Sequence, residues 1–202
     1  MIAAIVLAAG RGARFDEQGA NKLLEDFGGR PLIRRAVDAA LGSRATKTIV
    51  VTGWDHARIA AALGDLPVTF AHNARHRSGM ASSLQTGLAE AREADGVIVL
   101  LGDMPTIESP ILDRLIDAFE TTGASAVIPV HEGQRGNPVL LGRAIFPRLA
   151  ELRGDEGARR LLRGLDHVVE LAIDETVILA DVDTKRDLEG LRADQAKPTS
   201  SF

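Results

Sequence analysis

Along most of the chain, short runs of consecutive apolar residues alternate with longer segments whose apolar residues recur at helical spacing. The runs IAAIVLA (2–8), KTIVVT (47–52), PVTFA (67–71), GVIVLL (96–101) and ASAVIPV (124–130) are rich in β-branched residues and short, which predicts strands buried on both faces. Between them, RPLIRRAVDAAL (30–41), DHARIAAAL (55–63), MASSLQTGLAEAR (80–92) and SPILDRLIDAFE (109–120) each present an apolar stripe and predict helices. A β-α-β alternation of this kind implies a mostly parallel sheet with helices on both faces, and so an α/β fold. In such sheets ligands bind beyond the carboxyl ends of the strands.

The rhythm changes after Val130. HEGQRGNPVLLGR (131–143) reads as a turn and a short strand, followed by helical AIFPRLAEL (144–152) and a helix in GDEGARRLLRGL (154–165). Two strands, HVVEL (167–171) and TVILA (176–180), and a final helix from Thr184 complete the pattern, and part of this region is expected to extend beside the sheet. Residues 1–192 are expected to form a single domain, with the polar, proline-containing tail ADQAKPTSSF (193–202) disordered.

Composition narrows the chemistry. The 202 residues include no cysteine, which excludes disulfides, thiolate metal sites and a cysteine nucleophile, so a bound metal needs oxygen or imidazole ligands. A net charge of −4, six phenylalanines, one tryptophan and no tyrosine argue against a nucleic-acid surface. The opening MIAAIVLAAG lacks the basic start of a secretory signal, and no run reaches the length of a membrane helix, so a soluble, cytoplasmic protein is expected.

The first strand runs into LAAGRGARFDEQGANKLL (7–24), which is glycine-rich and cationic. Closely spaced backbone N–H groups can converge on an anion where no Cβ intervenes. Phe15 stands where a Walker A loop or a dinucleotide fingerprint needs its next glycine, so both loops are excluded. Three cations remain in the loop: Arg11, Arg14 and Lys22. They suit a triphosphate of about four negative charges, although the same cations would also fit an ordinary solvated loop.

Carboxylates stand at other strand ends. Asp103 follows VIVLL directly and precedes Met104 and Pro105, while Asp181 and Asp183 follow VILA with a spacing that places both on one side of an extended chain. A lone aspartate at a sheet rim is commonly a turn or capping residue. Acids from two strand ends beside a cationic loop can instead hold Mg²⁺, which takes one or two carboxylates together with phosphate oxygens. The charges then suit attack on a nucleotide α-phosphorus with pyrophosphate as leaving group.

Taken together, LAAGRGARF…NKLL, SGMASSLQTGL, LGDMP, GNPVLL, GDEGARRLL and DVDTKRDL resemble the molybdenum-cofactor nucleotidyltransferase family, and most nearly its cytidylyltransferases. The motifs occur in the family's order across residues 3 to about 190. The resemblance implies a Rossmann-like three-layer α/β/α nucleotidyltransferase fold. It also implies a Mg²⁺-dependent transfer of CMP from CTP to a phosphorylated acceptor, the molybdopterin of the cofactor, for a client molybdoenzyme.

On that resemblance, Leu7, Ala8, Ala9, Gly10 and Gly12 wrap the nucleotide, and Gly79, Ser83 and Gly87 approach its base and ribose. Arg11, Arg14 and Lys22 hold the triphosphate, Lys22 acting on the α-phosphate, and Asp103 and Asp183 bind the metal. Gly136, Asn137 and Pro138, with Gly154 and Asp155, face the acceptor, and LAAG rather than LAGG favours CTP over GTP. The chain departs from the family at Phe15 and Asp16, and at Arg75, His76 and Arg77, where an aromatic residue often precedes the GM turn. The other histidines show no metal-ligand spacing, Trp54 is expected to be a packing residue, and Ser82 and Ser83 lack a hydrolase nucleophile's setting. Two alternatives stay open from the residues: transfer to a sugar or polyol phosphate or from GTP, and a nucleotide-binding chaperone without turnover.

Overall fold

A computed structural model describes residues 1–12, 14–15, 20–155, 162 and 164–195. All five apolar runs form strands, β1 (Ile2–Ala8), β2 (Lys47–Thr52), β3 (Thr69–His72), β4 (Gly96–Leu101) and β5 (Ala126–His131). Three more follow: β6 (Gln134–Arg135), β7 (Val139–Gly142) and β8 (Val168–Ala172). They make one sheet in the order β3-β2-β1-β4-β7-β5-β6, with β8 paired to β5. The pairs β1–β2, β1–β4, β2–β3 and β5–β8 are parallel, whereas β7 runs antiparallel between β4 and β5 and β6 folds back on β5.

Register sets where the site lies. Ala8 pairs with Thr52 and Leu7 with both Val51 and Leu101, so β1, β2 and β4 end at one rim and their following loops meet there.

Side chains of successive strand residues point to opposite faces. Ala4, Val6 and Ala8 pack towards α1 (Leu32–Gly42), α2 (His56–Leu63) and α4 (Ser109–Thr122), and this layer also holds α6 (Lys185–Gln195). Ala3 and Ile5 pack towards α3 (Met80–Glu90) and α5 (Phe146–Ala150). The result is the expected three-layer Rossmann-like architecture. Ile5, Ile33, Leu84 and Leu112 are almost completely buried, and removing each such side chain from water contributes roughly 1.5–3 kcal/mol.

Four expectations are corrected. TVILA is not a strand: Thr176–Leu179 form a 3₁₀ turn that buries Ile178 and accepts the Asn137 N–H at the Ile178 carbonyl, so tertiary packing overrides its β-branched composition. The 131–143 segment makes two strands, β6 and β7, rather than one. The third strand begins at Thr69 and lies at the sheet edge, where Thr69 and Phe70 are only half-buried. The last helix runs to Gln195, past residue 192, because Arg192 donates to the Asp26 carbonyl and ties the helix to the body. The remaining tail and most of the helix expected over 154–165 lie outside the described residues.

Candidate active site

Asp103 is placed by a tight turn. Gly102 donates its N–H to the Leu7 carbonyl at 3.0 Å, and a Cβ there would stand 2.7 Å from Ile33. Buried Met104 pins the far side of the turn. The Val182 N–H donates to the Asp103 carbonyl at 2.9 Å, and buried Val182 anchors the segment so that Asp181 and Asp183 flank it beside Asp103. Ligand oxygens of Asp103, Asp181 and Asp183 all lie within 4.8 Å of one another. Asp181 and Asp183 therefore converge, but from a non-helical, non-strand segment rather than from a continuing strand.

A reciprocal cap stabilises this segment. The Asp187 carboxylate accepts the Thr184 and Asp183 N–H groups and the Thr184 hydroxyl, while the Asp187 N–H donates back to Thr184 Oγ1. The Thr184 hydroxyl, and then the backbone N–H groups, hold the Asp187 carboxyl below the usual carboxylate range.

Lys22 reaches the cluster from the far end of the glycine-rich loop. It begins a 3₁₀ turn, Lys22–Leu24, capped by the buried side chain of Asn21, whose Oδ1 accepts the Leu23 N–H and whose Nδ2 donates to Asp55. Lys22 Nζ lies 2.6 Å from Asp103 Oδ2, 2.6 Å from the Val182 carbonyl and 3.4 Å from Asp183 Oδ1. Arg14, largely in solvent, pairs with the other oxygen of Asp183 at 2.7 Å.

These cations do not fully compensate the acids. Asp103 Oδ1 is buried and has no hydrogen-bond partner among the described residues. Burial pushes the Asp103 carboxyl above its usual range, with Asp181 adding to the effect, even though Lys22 acts in the opposite direction. A buried carboxylate oxygen without a donor, beside two further acids, matches the oxygen-only ligand set of a hard divalent cation.

A cavity of about 380 Å³ opens above the cluster. Leu7, Ala8, Ala9, Gly10 and Gly12 form one wall, with Arg14, Lys22, Asp103 and Asp183 at one side and Gly79, Ser83 and Asp155 among the remaining lining residues. Asp181, His76 and Met80 also line it.

The same architecture is found in known proteins, and residues 4–169 match the MobA-like NTP transferase domain. The chain belongs to the MobA-like NTP transferase family. It is similar to the purine catabolism protein PucB of Bacillus subtilis, 30% identical over 200 residues covering 93% of this chain and 94% of that one. It is also 30% identical over 151 residues to the bifunctional protein GlmU of Desulfotalea psychrophila, covering 75% of this chain and 44% of the relative. This MobA-like chain thus spans less than half the length of that GlmU. Rv0371c of Mycobacterium tuberculosis H37Rv superposes with a TM-score of 0.84 at 30% identity, covering 95% of this chain and 97% of that one. A manganese complex of Rv0371c superposes at 0.79 and 28%, covering 95% and 98%.

Within this MobA-like domain, several residues singled out by sequence lie away from the cavity lining. Gly87 is buried in α3, where a Cβ would stand 2.5 Å from Ile5, so it serves close packing of the helix on the sheet rather than the base and ribose. Arg11 is exposed and its guanidinium stands 6.0 Å from the Trp54 ring centre. Gly136 packs on Ile178, with Asn137 bonded to it and Pro138 next in the chain, outside the lining residues. Gly154 supports the wall from behind: its carbonyl accepts the Ala81 N–H, and it abuts Gly79.

Sequence reasoning missed Asn73 and Asp55; it offered Asp181 beside Asp183 as a candidate metal ligand, whereas the family resemblance named only Asp103 and Asp183. Asn73 is 2% exposed and donates through Nδ2 to Ser82 and Ser83, a placement no local motif signals.

Proposed function

We propose that this MobA-like domain transfers CMP from CTP to a phosphorylated acceptor, molybdopterin, releasing pyrophosphate, in the cytoplasm and for a client molybdoenzyme. Neither nucleic acid nor a membrane takes part in this reading. The observation that carries it is the meeting of Lys22, Asp103, Asp181 and Asp183 at one side of a cavity whose adjacent wall is the glycine-rich loop.

Backbone groups of Leu7 to Gly12 hold the nucleotide, and Gly10 and Gly12 leave room for close approach. Arg14 neutralises triphosphate oxygens, and Lys22 lies where negative charge shifts towards pyrophosphate as an acceptor phosphate oxygen attacks the α-phosphorus. Asp103, Asp181 and Asp183 would hold Mg²⁺, or the manganese found with Rv0371c, and such an ion supplies charge stabilisation at the reacting phosphates.

The motif resemblance and the MobA-like match support molybdopterin as acceptor. Gly136, Asn137 and Pro138, expected to face molybdopterin, are not among the cavity-lining residues, which removes one support for that acceptor and leaves a sugar or polyol phosphate as the second reading. Pyrophosphate release from each NTP, with Mg²⁺ or Mn²⁺ and each acceptor class in turn, decides between them. Turnover only with CTP and molybdopterin is expected. A GTP preference overturns the donor assignment, and turnover with a polyol phosphate alone overturns the acceptor.

A further inference from the structure

His76 lies in the stretch where the chain departs from its family's aromatic residue, and it lines the cavity. Its position follows from Gly53: a Cβ there would stand 2.5 Å from His76 Cβ and 2.9 Å from the Ala9 carbonyl, so only a glycine admits the imidazole this close to the loop after β1. Gly53 follows β2, whereas Asp103 follows β4, and β1 lies between those strands. With neighbouring strands about 4.8 Å apart, the β2 and β4 ends that carry Gly53, beside His76, and Asp103 stand roughly 10 Å apart, with β1 and its loop between them. A nucleotide whose phosphates meet Lys22 and Arg14 therefore extends its base towards His76.

The protonation pattern of His76 is set by its neighbour. Its Nδ1 lies 3.3 Å from the Asn73 carbonyl, and since a carbonyl only accepts, Nδ1 carries the hydrogen. In that tautomer the lone pair lies on Nε2, which has no partner among the described residues.

Asn73 itself cannot turn. Its Oδ1 accepts the Arg75 N–H at 2.9 Å, while its Nδ2 donates to Ser82 Oγ at 2.8 Å and Ser83 Oγ at 3.0 Å. Ser83 thus accepts from Asn73 and has its hydroxyl proton to give to the cavity it lines.

We propose that His76 selects the donor's base, with Nε2 accepting a hydrogen bond from an exocyclic amine; this rests on the nucleotide site proposed above. An acceptor at His76 and a donor at Ser83, both lining the cavity, match the amine and ring nitrogen of cytosine's pairing edge. They oppose the carbonyl and ring N–H of uracil or of guanine's equivalent edge.

The test is calorimetric binding of CTP, UTP, GTP and inorganic triphosphate to wild type, His76→Phe and His76→Gln, with Mn²⁺ present. Wild type is expected to favour CTP over UTP by at least about 10-fold, the scale of one hydrogen bond in a partly buried site. His76→Phe loses that ratio through weaker CTP binding, with triphosphate affinity unchanged. His76→Gln, whose amide can present either its oxygen or its nitrogen, keeps CTP affinity and gains UTP. A wild-type protein without the preference, a ratio that survives in His76→Phe, or equal loss for CTP, UTP and triphosphate overturns the inference. Tighter binding of GTP than of CTP instead overturns the donor assignment and leaves the CTP-to-UTP ratio as the separate test of His76.

Discussion

Lys22 occupies part of the space that a divalent cation needs. Its Nζ is 2.6 Å from Asp103 Oδ2, and Mg²⁺ binds carboxylate oxygens at about 2.0–2.1 Å. While Lys22 keeps that bond, an ion held by the same oxygen is at most about 4.7 Å away. Charges of +2 and +1 at that separation repel by about 2 kcal/mol in water and about 7 kcal/mol at an effective dielectric of 20. Without nucleotide, therefore, Lys22→Met should bind Mn²⁺ at least ~20-fold more tightly than wild type, the lower figure converted at 1.4 kcal/mol per tenfold. With CTP bound the gap should shrink, because triphosphate oxygens give Lys22 an alternative partner. Electron paramagnetic resonance of free Mn²⁺ during titration measures both cases. Equal or weaker Mn²⁺ binding by Lys22→Met would refute the reasoning and show that Lys22 assembles the carboxylates rather than competing with the ion.

Asp103→Asn and Asp183→Asn should each reduce turnover by at least ~10²-fold, the scale of losing one electrostatic stabiliser; near-normal rates in both variants would remove the metal assignment. The pH dependence of stability has a definite sign. A carboxyl whose folded pKa is raised above its ordinary 3.8 contributes stability below that value and loses it as pH rises through the folded pKa. The melting temperature of Asp103→Asn should therefore rise relative to wild type from pH 4 towards neutrality, by roughly 2–4 °C per kcal/mol in a chain of this size, and a difference independent of pH would refute the burial argument. Gly79→Ala should destabilise by about 1–3 kcal/mol or more, because φ is +99° and the new Cβ would stand 2.1 Å from the Gly154 backbone; wild-type stability in denaturant titration would contradict that contact.

Local pattern alone determined much of this protein. The five apolar runs became strands because β-branched stretches of that length, bounded by turn residues and separated by amphipathic segments, have few other ways to bury themselves. The glycine-rich loop and the LGDMP turn were legible because each follows a strand directly, and parallel strands deliver their following loops to one rim.

Tertiary structure decided what depends on partners distant in the chain. TVILA became a 3₁₀ turn because its residues pack against Gly136 and Asn137, a contact that β propensity does not contain. Gly87 went to packing because the face of α3 that meets Ile5 is set by docking onto the sheet. Asp181 joined Asp103 and Asp183 through the bond from Val182 to the Asp103 carbonyl, and Lys22 found partners 81 and 161 residues away. Such distances and charge balances arise only once burial fixes the backbone: composition supplies the ions, and packing decides which of them are left uncompensated.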